Sequence, residues 1–215
     1  MIMDFILFCL EKREVLLFAT LRHIELSAIA VIISVVVAIP LGILITRYRK
    51  LAPLVVNSAN IGQTIPSLAI LGLVIPVLGI GLKPAIFAIV IRGVLPILNN
   101  TYSGIVNVDR FLIEAGRGMG MKNREILTLV EMPLSFTVIM AGIRTAAVLS
   151  ISVAALAALI GAGGLGDLIF QGIVMADRNL LLAGSIPTAL LAIVTDLGLE
   201  RVEKRLQIGQ PKQVF

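Results

Sequence analysis

Apolar runs long enough to cross a lipid bilayer fill most of this chain, and polar inserts punctuate them. A membrane helix needs about 20 mostly apolar residues. Ile24 to Thr46 meets that length, with Glu25 at its edge and Pro40 near its far end. Pro53 to Val77 is a second run, interrupted by Asn57, Asn60, Gln63, Thr64-Ile65-Pro66 and Pro76. Pro84 to Val106 is a third, with Arg92 and Pro96 inside it. Pro133 to Ile160 is the fourth and longest, and Leu180 to Leu199 the fifth. Composition agrees: 58% of residues are hydrophobic and 14% charged, against about 45–50% and about 25% in soluble domains. The runs are continuous rather than alternating, which excludes a transmembrane β-barrel. The prediction is an all-α polytopic membrane protein, residues 1–215 forming one domain with about five transmembrane helices.

Loop cations set the predicted orientation. Arg47, Arg49 and Lys50, then Arg110, Arg117, Lys122 and Arg124, then Arg201, Lys204, Arg205 and Lys212 fall on one side. Lys12, Arg13, Arg22, Lys83 and Arg178 fall on the other. The richer side is cytoplasmic by the positive-inside rule. The N-terminus is then outside and the C-terminus inside, with 201–215 a cytoplasmic tail. The same rule accounts for the net charge of +5 without nucleic acid as a partner. Residues 1–23 read as an N-terminal interfacial segment. Asp4 and Glu11-Lys12-Arg13-Glu14 interrupt it, and it has no small-residue cleavage site of a signal peptide.

Cys9 is the only cysteine and His23 the only histidine. No metal cluster of Cys and His ligands can be built, so the metal expectation is none. No paired intramembrane carboxylates or nucleophile–base pair appear, which argues against an enzyme. There is no G-x-x-x-x-G-K-[ST], so this chain has no cradle of its own for ATP phosphates.

Between the third and fourth runs, residues 107–131 form a charge-rich insert. It holds Arg110, Glu114, Arg117, Lys122, Arg124, Glu125 and Glu131. Lys122 to Val130 has helical composition, and Pro133 is expected to end that element and start the next span. In span two, Asn60, Gln63, Thr64 and Ser67 fall on one helical face, which predicts passage lining or bonds between helices. Pro66 should weaken that helix locally. Arg92 and Arg144 lie inside spans, where an unpaired charge is costly. Arg92 is a candidate charge in the passage, to repel or orient what passes, and Arg144 to snorkel or bond to the charged insert. A structural hydrogen-bonding role is the competing reading for each. Gly142, Ala146, Ser150, Ala154, Ala158 and Ala162 repeat every fourth residue in span four, a face for close helix packing near an interface or pore. Ser150 is also a pathway candidate.

Gly161, Gly163 and Gly166 satisfy G-x-G-x-x-G, but the segment follows a membrane span rather than a strand, which excludes the dinucleotide reading. With Gly164 they predict a tight turn at the external face. A short re-entrant helix from Asp167 to Met175 follows, with a role as an outer gate or as a purely structural turn.

Glu114-Ala115, Gly120, Val130 and Pro133 resemble the EAA motif of ABC-transporter permeases. Gly116 stands where that motif has a second Ala, and Met132 where it has Leu. Gln63-Thr64-Ile65-Pro66-Ser67-Leu68-Ala69 and Gly161-Ala162-Gly163-Gly164-Leu165-Gly166-Asp167 are similar to segments of osmoprotectant permeases. Methionine permeases share a similar Gly-rich segment. The resemblance covers Leu21 to Arg205. It implies the membrane subunit of an ATP-driven importer for glycine betaine, choline, carnitine or a related quaternary ammonium solute. It further implies a coupling helix in the insert, with Glu114, Ala115, Gly116, Gly120, Met121, Lys122 and Pro133 facing a cytoplasmic ATP-binding subunit. ATP and Mg would belong to that partner, and this chain would bind no cofactor. A second permease subunit, identical or paralogous, and an extracytoplasmic substrate-binding protein complete the expected assembly. With no Trp and only Tyr48 and Tyr102, an aromatic cage for a quaternary ammonium is expected on the binding protein. A methionine-type permease and a secondary transporter are the alternatives.

Overall fold

The computed structural model describes residues 2–48 and 50–206. Arg49, Lys212 and the tail from 207 lie outside the described residues. The described residues contain no strand. The chain runs through α1 (Ile2–Glu11), α2 (Arg13–Arg47), α3 (Ala52–Thr64), α4 (Ser67–Leu78) and α5 (Leu82–Val106). The insert holds α6 (Arg110–Gly118), α7 (Asn123–Ile126) and a π turn at Leu127–Glu131. Then come α8 (Met132–Ala157), a 3-10 turn at Ala158–Ile160, α9 (Leu165–Val174) and α10 (Arg178–Leu206).

Four helical stretches are long and apolar enough to cross a membrane: Arg13–Arg47, Leu82–Val106, Asn123–Ile160 and Arg178–Leu206. The pair α3 and α4, bent by 101°, makes a fifth. It crosses rather than returns. α3 starts beside the end of α2 that meets the insert, and α4 leads to Gly81, whose N–H donates to the Ile160 carbonyl at the opposite end (2.6 Å). The second span is therefore a broken helix, and its cause is local. Pro66 has no N–H to continue the ladder, and its ring disfavours helical backbone at Ile65. Ile65 accordingly sits at φ −68°, ψ 125°. Asn60, Gln63 and Thr64 stay on α3, whereas Ser67 opens α4. The single four-residue face expected from spacing is cut at Pro66.

Two other boundaries differ from the sequence reading. Residues 13–23 are the first turns of α2, so the span helix begins at Arg13 and His23 lies within it, fully buried. Pro133 does not end the insert helix. Helix runs from Asn123 through Ile160, and Pro133 sits at the second position of α8. The wider π turn just before it accommodates the missing N–H, as π bulges do inside longer helices.

Among the described residues the core is three apolar clusters, one around Leu26, Leu71, Ile89 and Val153, one around Ala38, Ile97 and Ala146, and a smaller one of Ala19, Leu165 and Leu168. Small residues bring the helices together, as lipid-embedded packing requires. The ideal Cβ of a residue at Gly142 on α8 would lie 2.7 Å from Asn100 Cβ on α5. Gly142, Ala146, Ser150, Ala154 and Ala162 are all buried, so the four-residue stripe packs within this chain. Gly166 approaches α8 so closely that a Cβ there would lie 2.0 Å from the Ala155 carbonyl oxygen.

The two sets of loop cations fall at opposite ends of this bundle. Lys12 precedes α2, Arg13 and Arg178 open helices, Lys83 lies in the first turn of α5, and Arg22 packs beside Gly163, all at the end that holds Ile160 and the Gly-rich turn. Arg47, Lys50, the insert cations and Arg201, Lys204 and Arg205 lie at the other.

Candidate coupling segment and passage

The insert is built from two short helices joined by one glycine turn. Asp109 opens α6 by accepting the Phe111 N–H (2.9 Å). α6 closes in a Schellman motif: the Met121 N–H donates to Gly116 O (3.1 Å) and the Gly120 N–H to Arg117 O (2.9 Å). Gly120 holds the left-handed position at φ +83°, which a side chain would strain. Met121 folds back over α6, and a Cβ on Gly116 would lie 3.2 Å from its sulfur. The second Ala of the EAA pattern is thus missing where Met121 needs the space. Glu125 caps α7 by accepting the Lys122 N–H (2.6 Å).

Burial separates an anchoring side from a free one. Gly116, Ile126 and Glu131 are buried, and Met121 is half-buried. Glu114, Ala115, Arg117, Gly120 and Lys122 are exposed, Phe111 and Met119 strongly so, and Pro133 is exposed at the start of α8. An apolar and charged surface of this kind, held on a rigid turn, suits docking. Beside it lies a cavity of about 490 Å³ lined by Arg47, Tyr102, Arg110, Glu114, Arg117 and Glu131 among others. Arg47 at the end of α2 donates to both carboxylate oxygens of Glu131, from Nη1 at 3.2 Å and from Nη2. Spacing could not reveal this pair, because its partners are 84 residues apart. The only sequence signal was a cation ending a span.

The passage candidates cluster around the broken span. Arg92 on α5 donates from Nη1 to Gln63 O (3.0 Å) and Ile65 O (3.1 Å), the carbonyls left open by the break. Asn60 accepts from Asn99 Nδ2 (2.7 Å), a partner that spacing did not identify. Asn60, Gln63 and Thr64 are exposed, and Ser67 and Arg92 are half-buried. A polar exposed strip on membrane helices must meet water or another subunit. Ser150 is elsewhere: it is fully buried and faces no open surface. Its hydroxyl lies 3.6 Å from where a Cβ on Gly93 would sit.

Arg144 bonds to the last helix, not to the insert. Its Nε and Nη2 donate to Asp196 (3.0 and 3.2 Å) and Nη1 to Glu203 (3.3 Å), with Glu200 at 3.9 Å. The three carboxylates lie on α10, where their spacing places them on one helical side.

The Gly-rich segment forms the predicted turn and helix. Gly161 ends the 3-10 turn in a Schellman arrangement at φ +76°, with the Ala162 N–H donating to Ala157 O (3.2 Å). Gly163 and Gly164, at φ +82° and +94°, lead into α9, and Gly166 packs on α8. His23 closes the turn from α2: its Nε2 lies 3.0 Å from Ile151 O, and a Cβ on Gly164 would lie 3.3 Å from its Nδ1. Partial burial on α9 pushes the Asp167 carboxyl above the usual carboxylate range.

A five-crossing helical bundle with an exposed two-helix insert at its cation-rich end is the architecture of a transporter membrane subunit. Residues 38–208 match the family described as binding-protein-dependent transport system inner membrane component. The chain belongs to that family, and is a multi-pass protein of the inner membrane. It is 50% identical to the carnitine transport permease protein OpuCB of Listeria monocytogenes over 91% of this chain and 90% of that protein. It is 49% identical to the choline transport system permease protein OpuBB of Bacillus subtilis (strain 168), covering 89% and 88%. The osmoprotectant import permease protein OsmW of Salmonella typhimurium is 43% identical, covering 94% and 96%. In fold the chain is similar to a chain of the inward-facing MetNI methionine ABC transporter. That TM-score is 0.81 at 21% identity, covering 89% of this chain and 95% of that one.

Proposed function

We propose that this chain forms the translocation pathway of an ATP-driven importer for a quaternary ammonium compatible solute such as glycine betaine, choline or carnitine. The observation that carries this reading is the insert. An exposed pair of short helices, locked by the Gly120 turn and rooted by Gly116, Ile126 and Glu131, is a rigid lever at the foot of the longest span. A cytoplasmic ATP-binding subunit receives this lever through the exposed Glu114, Ala115, Gly120 and Lys122, with buried Gly116 and half-buried Met121 supporting that surface and Pro133 at its root, and supplies the ATP and Mg site. The cation-rich end is cytoplasmic, so the N-terminus is outside and the C-terminus inside. The exposed strip of Asn60, Gln63 and Thr64, with half-buried Arg92 beside it and Ser67 beyond the break, faces a second permease subunit across the passage. The turn at Gly161, Gly163, Gly164 and Gly166 faces the extracytoplasmic binding protein, which selects the solute. The solute class is supported by the relatives, several of which are named for carnitine or choline.

The test is purification of the chain with its ATP-binding subunit and binding protein, followed by ATP hydrolysis in liposomes. Stimulation by glycine betaine, choline or carnitine is expected. Stimulation by methionine alone would replace the solute class, and solute uptake by the chain without an ATPase would overturn the importer reading.

A further inference from the structure

Arg47 is the last residue of α2, and Glu131 is the last residue of the π turn that joins the insert to α8. Glu131 is 4% exposed, and the Arg47 guanidinium reaches both of its carboxylate oxygens. Its backbone carbonyl is also occupied, accepting from Ser135 Oγ at 2.7 Å. A buried carboxylate cannot leave its guanidinium without becoming an uncompensated charge, so the two segments are constrained to move together. The π turn beside it is a wider, less regular helix form that recurs at functional sites. The same pair forms one wall of the cavity that Arg110, Glu114 and Arg117 of α6 line.

We propose that Arg47 is a positioning residue for coupling, and that its pairing with Glu131 carries displacement of the insert into α2 as well as into α8. The covalent path from the insert reaches only α5 and α8. α2 leads to α3 and the broken span, so the ion pair gives the lever a second route to the passage wall. This inference rests on the insert being the lever proposed above.

The experiment uses the whole transporter, with ATP-binding subunit and binding protein, in liposomes. Co-purification of the ATP-binding subunit and uptake by the wild type test the lever reading, and failure of either removes this inference with it. Given those, Arg47→Met and Glu131→Gln are expected to keep the ATP-binding subunit bound and ATP hydrolysis within about twofold. Solute taken up per ATP should fall about tenfold, since removing one partner of a buried pair is costly. Arg47→Lys should retain most coupling, and the double exchange R47E with E131R should restore it. Unchanged uptake per ATP in both single variants would overturn the proposal. So would an equal, proportionate loss of hydrolysis and uptake, the signature of a destabilised bundle, in Arg47→Lys and Arg47→Met alike.

Discussion

Arg92 donates to the carbonyl of Ile65, the residue at which the second span breaks. With the bond to Gln63 O, one guanidinium satisfies two backbone oxygens that Pro66 leaves without a helical donor. Exposed backbone carbonyls at membrane depth need such partners. The intramembrane charge thus has a structural use within this chain, in addition to any contact with a solute.

Replacing Arg92 with Met should therefore loosen the break. A bond from a charged donor contributes about 1.5–3 kcal/mol. Thermal unfolding of the detergent-solubilised protein should shift down by several degrees, with Arg92→Lys intermediate. An unchanged unfolding temperature would show that water serves the two carbonyls equally well.

Gly120→Ala should strain the turn by about 1–2 kcal/mol, the cost of a left-handed conformation for a residue with a Cβ. The bundle should keep its fold, because Gly120 is exposed and no neighbour lies within 4 Å of the added Cβ. Loss should appear instead in ATPase co-purification and hydrolysis, more severely in Gly120→Asp. Unchanged assembly and transport in Gly120→Asp would remove Gly120 from the coupling role.

Ala176 is the inverse case. It occupies the left-handed position of the turn between α9 and α10 at φ 52°, where the Asp177 N–H donates to Gly172 O (2.9 Å). Asp177 in turn caps α10 by accepting the Asn179 N–H (2.8 Å). Ala176→Gly should stabilise the protein by up to about 1 kcal/mol. A rise in unfolding temperature with transport unchanged is the expected result.

Gly166→Ala should be among the most damaging single-methyl changes. The added carbon would lie 2.0 Å from the Ala155 oxygen and 2.7 Å from Ala158 Cβ, and backbone cannot yield as a flexible side chain can. Overpacking of this degree costs about 3 kcal/mol or more. Loss of folded protein from the membrane fraction, measured against Gly161→Ala, would check it.

Much of this was legible in the linear pattern. The apolar runs announced the crossings, Pro66 announced the break, and Gly161, Gly163 and Gly164 announced a turn that the backbone indeed makes with positive φ. Pro133 misled, because the helix runs on from Asn123 through Ile160 and the wider π turn just before the proline accommodates its missing N–H. The stripe through Gly142 and Ser150 was recognised as a packing face, yet nothing in it said that α5 of the same chain covers it.

By itself the sequence determined the membrane class, the apolar runs, the charged insert and its EAA-like spacing, because these depend on local hydropathy, charge and backbone chemistry. Only the tertiary structure decided which charge meets which. Arg47 found Glu131, Arg144 found Asp196 on α10, and Arg92 found the carbonyls of the broken span. Each of these three cations settles where packing brings an acceptor within reach, and that choice is made by helix positions that no spacing along the chain records.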